Sequence, residues 1–292
     1  MATPMPNTRS GAIPWRTSMS WICARPSRTL IAAHRGSWRS APENSLAALR
    51  AAIDEGADIV ELDVRATCDG VLVLLHDPTL DRTSTARGRV ADAHFSEVRH
   101  AVLKMGGATR QPLVSGERLP TLSQALEMAR DRIVVNLDIK APTQTEAISR
   151  LVLASGMATQ VFVKAQIDSE ADVARTRAHP LFGRVAFVPM MHARPGLFTS
   201  QLRAMAPLRP PMYEVSFAAL DDLRDGLPEL RRQGARLWVN TIEASYSVDF
   251  HDRRALQDPD GVWGALLDCG VGAIQTDEVR SLSAYLAERA AR

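Results

Sequence analysis

From residue 30 onward, short apolar runs alternate with amphipathic helical stretches, and this alternation constrains the fold more than any other feature of the 292-residue chain. The runs are Leu30–Ala33, Ile59–Val64, Val71–Leu75, Ile133–Ile139, Val161–Ala165, Val185–Pro189, Met212–Phe217, Arg236–Val239 and Ala273–Thr276. Helix-like patterns lie between most of them, at Ser45–Glu55, Leu122–Arg130, Thr145–Ala154, Asp168–His179, Ala218–Gln233 and Gly261–Cys269, and Arg280–Arg289 closes the chain. Near-continuous runs such as Ile133-Val134-Val135 are what a parallel sheet covered by helices on both faces requires. Eight βα units close a TIM (β/α)8 barrel, a single domain of about this length, so one run is surplus.

The surplus has a local explanation. Only Arg65–Gly70 separates the second run from the third, whereas a parallel crossover needs roughly a dozen residues or more. The second and third strands are therefore expected to pair antiparallel, a hairpin variation on the barrel. Asp69-Gly70 suits a two-residue turn, since both residues tolerate positive φ. A turn centred there puts Asp63 opposite His76 and Val64 opposite Leu75, with Glu61 on the face of Asp63. Two carboxylates and an imidazole would then converge, and a slip by one residue would turn His76 away. The segment Pro78–Leu119 has only one weak helical stretch, Ala93–Leu103, and reads as a lid or a small excursion. Residues 1–29 hold Arg9, Arg16, Arg25 and Arg28 and no acidic residue, but prolines interrupt them and no signal-type apolar run follows. They read as a flexible extension to a barrel domain over residues 30–292.

Charge and composition exclude several functions. Lys plus Arg is 35 against 33 Asp plus Glu, so the net +2 gives no field for gathering nucleic acid or an acidic membrane. Cys23, Cys68 and Cys269 have no CxxC spacing, which argues against a disulfide framework or structural zinc and fits a reducing, cytoplasmic compartment. No stretch approaches the roughly 18 apolar residues of a transmembrane segment. GxGxxG after a strand, GxxxxGK[ST], GxSxG and HExxH are all missing from the sequence.

Two clusters can carry chemistry. His34-Arg35-Gly36 ends the first strand, where barrels keep their active sites, and Pro42-Glu43-Asn44-Ser45 leads into the following helix. Taken alone, the same residues also fit a core histidine, a surface ion pair and a helix N-cap at Asn44 or Ser45. The second cluster is Glu61-x-Asp63 with His76-Asp77. Paired carboxylates on one strand face are hard oxygen donors of the kind that hold Mg²⁺ or Ca²⁺. Asp138, ending the fourth run, offers a third anchor, and Lys140 two residues on would share its face beside a metal-bound phosphate; an ordinary salt bridge fits that pair equally well. Trp238-Val239-Asn240 ends a later strand, and Trp238 can either wall a pocket or belong to the core.

Together, His34-Arg35-Gly36, Pro42-Glu43-Asn44, Glu61-Leu62-Asp63-Val64, Thr67-x-Asp69-Gly70 and His76-Asp77 resemble the glycerophosphodiester phosphodiesterase family in order and spacing. The resemblance continues through Leu119-Pro120-Thr121-Leu122, Asp138-Ile139-Lys140, Trp238-Val239-Asn240 and Gln275-Thr276-Asp277. It implies a barrel of the phosphatidylinositol-phospholipase type, a divalent metal, and hydrolysis of a small phosphodiester to a phosphomonoester and an alcohol. It makes His34 and His76 the acid/base pair, Glu61, Asp63 and Asp138 metal ligands, and Arg35 and Lys140 phosphate contacts, with Glu43, Asn44 and Trp238 at the substrate. Where the family generally has Glu, this chain has Asp138, one methylene shorter, which draws the carboxylate back by about 1.5 Å. Glu278 replaces a common proline after Asp277. Imidazoles titrate near neutrality, so one can take a proton while the other gives one. A lysophospholipid, a sugar phosphodiester, or phosphate binding without catalysis are the alternative readings of the same residues.

Overall fold

A computed structural model describes residues 28–106 and 113–292. Its strands are β1 (Leu30–Ala33), β2 (Ile59–Ala66), β3 (Leu72–Leu74), β4 (Val102–Lys104), β5 (Val114–Arg118), β6 (Val134–Ile139), β7 (Val161–Gln166), β8 (Ala186–His192), β9 (Met212–Ser216), β10 (Arg236–Ile242), β11 (Ser245–Tyr246) and β12 (Val271–Thr276). Eight of these, β1, β2, β6 to β10 and β12, are parallel and close into a barrel through β1, which pairs with β12 on one side and β2 on the other. The helices are α1 (Leu46–Asp54), α2 (Phe95–Val98), α3 (Leu122–Ala129), α4 (Thr145–Ala154), α5 (Glu170–Arg177), α6 (Phe198–Met205), α7 (Leu227–Gln233), α8 (Asp252–Ala255), α9 (Ala265–Asp268) and α10 (Val279–Ala291). Among the described residues no helix is long and apolar enough to cross a membrane.

Strand alternation divides the core. Val60, Leu62, Val135 and Leu137 point outward into the apolar layer that the helices cover. Leu30, Ile59, Val134, Phe162, Met212 and Trp238 point inward and plug the barrel, with the Trp238 ring edge-on to Phe162 at 5.9 Å. One step further along the strands the inward positions become polar, at Glu61, Asp63, Asp138, Lys164, Glu214 and Gln275. An apolar plug under a polar layer places the site at the carboxyl ends of the strands, as barrel enzymes do. The Ser45 hydroxyl caps α1 by accepting from the Ala48 amide, and Gly36, at φ 80°, lies so close to Ala48 that a Cβ would meet its backbone at 2.7 Å.

The hairpin between β2 and β3 is present, but its register differs from the sequence expectation. Val64 faces Leu74 and Arg65 faces Val73. The loop has three residues, Cys68-Asp69-Gly70, with Gly70 at φ 81°; across it the Thr67 amide donates to the Val71 carbonyl, and the Val71 amide donates to the Thr67 hydroxyl. Leu75, whose amide donates to the Asp63 carbonyl at 3.0 Å, therefore occupies the place expected for His76. His76 follows after the chain has left the sheet, held by two bonds from the Arg65 guanidinium to its carbonyl at 2.9 and 2.7 Å.

Other expectations change locally. The helix expected over Ala93–Leu103 is confined to α2, because Val102–Lys104 pairs antiparallel with β5 and Leu103 joins a satellite core with Val73, Leu80, Val90 and Leu119. The stretch Ala218–Gln233 divides into a 3₁₀ segment, Leu220–Gly226, and α7; Pro228 lacks the amide hydrogen that a continuous helix would use. Arg28 and Thr29, counted with the flexible extension, are tethered by Arg28 Nη2 to Asp58 at 3.3 Å and Thr29 Oγ1 to the Val271 carbonyl at 3.3 Å. The rest of that extension, residues 1–27, lies outside the described residues.

Candidate active site

Glu61 and Asp63 project inward from β2, and strand register sets Asp138 of β6 directly beside Asp63. A carboxylate oxygen from each of Glu61, Asp63 and Asp138 lies within 4.8 Å of the others. The Asp63 carboxylate is 1% exposed and almost fully engaged: Lys140 Nζ at 2.8 Å, Arg35 Nε at 3.4 Å and Asn44 Nδ2 at 2.7 Å. Asn44 also accepts from the Asp63 amide at 3.0 Å, so this residue aligns the carboxylate, while Ser45 is the N-cap. Glu61 accepts from the Arg35 backbone amide at 3.0 Å. Arg35 and Asn44 both hold φ at 57°, left-handed backbone that side chains other than glycine's adopt at a cost, and each spends that strain on a bond to the acidic pair.

The electrostatics of the two neighbours diverge. Burial pushes Asp63 up, but the charges of Lys140 and Arg35 outweigh it and hold the carboxyl below its ordinary value. Burial pushes Glu61 well above its ordinary value, and the adjacent Asp63 and Asp138 push in the same direction. Burial lowers Lys140, yet Asp63 and Asp138 more than offset this and raise it. Asn136, abreast of Glu61 on β6, is fully buried with neither amide atom hydrogen-bonded among the described residues, the pattern found beside an ion or an ordered water. Three hard oxygen donors, one of them an under-compensated buried carboxylate, fit a divalent cation.

His34, at the carboxyl end of β1, meets Asp277 just past β12: His34 Nδ1 is 2.8 Å from Asp277 Oδ1, which also accepts from Trp38 Nε1 at 2.7 Å. A carboxylate can only accept, so His34 Nδ1 carries the hydrogen and Nε2 is left as the basic atom. His76 repeats the arrangement with Asp77, at 2.8 Å. Arg82 grips Asp77 at 2.6 and 2.9 Å and Glu43 at 2.7 and 2.8 Å, and Glu43 in turn receives Arg35 Nη1 at 2.9 Å. Through these bonds the second imidazole is connected to the acidic cluster by Asp77, Arg82, Glu43 and Arg35, not by the hairpin register. Bonds to Arg82 hold Asp77 far below its ordinary value.

Trp238 is fully buried in the barrel plug and does not line the cavity. Its indole donates to Asn240 Oδ1 at 2.8 Å, and Lys164 Nζ lies 4.4 Å from its ring centroid. Lys164 pairs with Glu214 at 2.5 Å and donates to Gln275 at 2.7 Å. Around Glu214, Asn240, Gln166, Ser216 and Ser245 the barrel mouth opens into a polar cavity of about 250 Å³. Sequence reading missed Asp277 as a partner of His34, although its place after the last strand was a usable signal. Arg82, Trp38, Lys164 and Glu214 had no signal of their own.

A family model for the glycerophosphoryl diester phosphodiesterase family matches residues 34–179, half of the chain, and a domain of unknown function matches residues 187–286. A glycerophosphodiester phosphodiesterase of Caldanaerobacter subterraneus subsp. tengcongensis is 42% identical over 117 residues, 39% of this chain and 46% of that protein. The match thus spans less than half the length of that curated relative. A glycerophosphodiester phosphodiesterase from Agrobacterium tumefaciens has a similar structure, with a TM-score of 0.66 and 26% identity over 88% of this chain and 99% of that one. An Oleispira antarctica phosphodiesterase, solved with the product sn-glycerol-3-phosphate, shares the fold at a TM-score of 0.60 and 21% identity, covering 92% of this chain and 99% of that one. The barrel, the acidic cluster at its mouth and these matches together make the chain a member of the glycerophosphoryl diester phosphodiesterase family.

Proposed function

We propose that this protein hydrolyses a glycerophosphodiester to a phosphomonoester and an alcohol, using a divalent cation, Mg²⁺ or Ca²⁺, and the imidazoles of His34 and His76 as its acid and base. The observation that carries the proposal is the pairing of each imidazole with a carboxylate through Nδ1, beside an acidic cluster that Arg35 and Lys140 border. A phosphodiester anion resists attack, so its charge must be screened, the nucleophile deprotonated and the leaving alkoxide protonated. Glu61, Asp63 and Asp138 would hold the cation, which when bound screens the phosphoryl charge as a Lewis acid. Arg35 and Lys140 bind the remaining phosphate oxygens. One imidazole Nε2 takes the proton of the attacking oxygen as the new P–O bond forms. The other protonates the alcohol oxygen as its P–O bond breaks, and Asp277 and Asp77 keep both rings in the useful tautomer.

Incubation of glycerophosphocholine with the protein and Mg²⁺ or Ca²⁺ is expected to release choline and give glycerol phosphate, the latter read by phosphorus NMR, and a chelator is expected to stop the reaction. No phosphomonoester with either ion would overturn the proposal. The same spectra follow the route: a transient cyclic phosphate marks attack by the neighbouring glycerol hydroxyl, and a linear monoester from the earliest times marks attack by water.

A second reading draws on a crevice of about 290 Å³ lined by Val173, Met191 and Met205, which shares Met191 and His192 with the polar mouth. An acyl chain fits such a lining, so a lysophospholipid is the competing substrate. The polar mouth favours the small diester, and faster turnover of lysophosphatidylcholine than of glycerophosphocholine would reverse the order.

Arg82→Met tests the link to His76. It strips Asp77 and Glu43 of their shared guanidinium, and kcat is expected to fall roughly tenfold or more as the imidazole loses its fixed orientation. An unchanged kcat would remove Arg82 from the mechanism.

A further inference from the structure

The short helix α8 carries a carboxyl group that the mechanism above does not use. Asp252 is 0% exposed, and its two oxygens divide their partners. Oδ1 accepts from Thr241 Oγ1 of β10 at 2.5 Å and from Thr276 Oγ1 of β12 at 2.8 Å. Oδ2 accepts from the backbone amide of Asp277 at 2.7 Å. Asp277 is the residue whose carboxylate orders His34, so one buried side chain ties together two barrel strands and the first residue beyond the second of them.

Among the described residues no cation pairs with Asp252. On its own helix, Arg253 is turned to Glu243 and Arg254 to Asp249, and the N-cap His251 also faces Glu243. Of the groups packed against it from β10 and β12, Thr241 and Thr276 are neutral and Asp277 is acidic. Burial drives Asp252 up to about 7, against the three hydrogen bonds it accepts and with the help of the Asp277 charge. An apolar residue in this place would leave the Asp277 amide and two threonine hydroxyls without that acceptor. A buried acceptor aimed at the one amide that precedes the Asp277 side chain has a narrower use.

We propose that Asp252 is a positioning residue, which anchors the Asp277 backbone so that the Asp277 carboxylate holds His34 in its Nδ1–H tautomer. Released from that anchor, the turn after β12 can rotate, Asp277 Oδ1 leaves the 2.8 Å contact with His34 Nδ1, and Nε2 is no longer reserved as the basic atom. The catalytic consequence rests on the reading of His34 as a proton-transfer group; the tautomer does not.

Two variants and two readouts test the proposal. Asp252→Ala leaves the Asp277 amide buried without its acceptor. Asp252→Asn keeps an oxygen for that amide and turns an N–H toward the two threonine hydroxyls, which can rotate to accept it. In nitrogen-15 NMR of the imidazoles, His34 is expected to be a single Nδ1–H tautomer in the wild type and in Asp252→Asn, and a mixture in Asp252→Ala. On glycerophosphocholine, Asp252→Ala is expected to lose kcat by roughly ten- to a hundredfold with KM held, as for a misplaced catalytic group, and Asp252→Asn to retain most of it. A folded Asp252→Ala that keeps both the tautomer and kcat overturns the proposal. Should Asp252→Ala fail to fold, Asp252→Leu fills the same space while offering the Asp277 amide no acceptor, and an unaltered His34 tautomer there overturns it equally. A wild type that cleaves no diester would defeat the functional reading while leaving the NMR comparison to decide the role of Asp252.

Discussion

Replacing His34 with alanine is expected to lower kcat/KM for glycerophosphocholine by roughly two to four orders of magnitude, the range of a lost general acid or base. The imidazole is nearly buried, with Nδ1 committed to Asp277, so Nε2 is its one atom left to exchange a proton with a ligand. Water entering the alanine variant would have neither the position nor the fixed orientation of that nitrogen. Asp277→Ala is expected to lose a large part of the same activity, because it frees the ring and abolishes the tautomer preference while leaving the imidazole present. The pair acts as a unit, so the double variant His34→Ala/Asp277→Ala should be little worse than His34→Ala alone. Kinetics on the four proteins of this cycle, with circular dichroism to verify folding, make the measurement. Additive losses would mean that Asp277 acts elsewhere, and near-normal turnover in His34→Ala would end its assignment.

The acidic cluster supports a second large effect, opposite in sign with and without metal. Glu61 is held well above its ordinary value by burial and by Asp63 and Asp138, so the folded protein keeps this proton at pH values where the unfolded chain has released it. Its contribution to stability is therefore fully present at acid pH and declines as pH rises above the ordinary glutamate value toward the raised one. Glu61→Gln removes that decline. The metal-free variant is expected to melt higher than the metal-free wild type near pH 8, with the difference shrinking toward pH 4. Added Mg²⁺ or Ca²⁺ should reverse the order, since a ligand at a hundred times its Kd stabilises a protein by about 2.7 kcal/mol and the variant has lost a carboxylate proposed to hold the cation. Thermal melts in chelator and in excess cation read both halves. Equal metal-induced shifts in the two proteins would take Glu61 out of the coordination sphere.

Much of this site is visible in the chain because it is local. Glu61 and Asp63 lie two apart on a strand, so strand alternation alone puts them on one face, and the continuous apolar runs flanking them mark a sheet buried on both sides. His76 shows the limit of such reasoning. The hairpin was legible from the short connection after β2, but one additional loop residue moved the register by one and set Leu75 against Asp63. What links the imidazole to the acidic cluster is Arg82, which lies in a segment with no periodic pattern and is defined only by the carboxylates it bridges. Trp238 was ambiguous for a related reason. A strand-end aromatic reads the same whether it lines a cavity or plugs a barrel, and only the neighbouring strands bury it.

By itself, the sequence determined the repeating βα pattern, the hairpin between the second and third strands, and the shared face of the Glu61–Asp63 pair. Each follows from spacings of a few residues along one strand or one turn. Tertiary structure alone decided which carboxylate serves His34. Asp277 stands 243 positions from His34 and meets it only once β12 has closed the barrel onto β1, while Asp252, 25 positions before Asp277, reaches it through the pairing of β12 with β10. Hydrogen-bond geometry of that kind depends on barrel closure, and no local pattern in the chain encodes it.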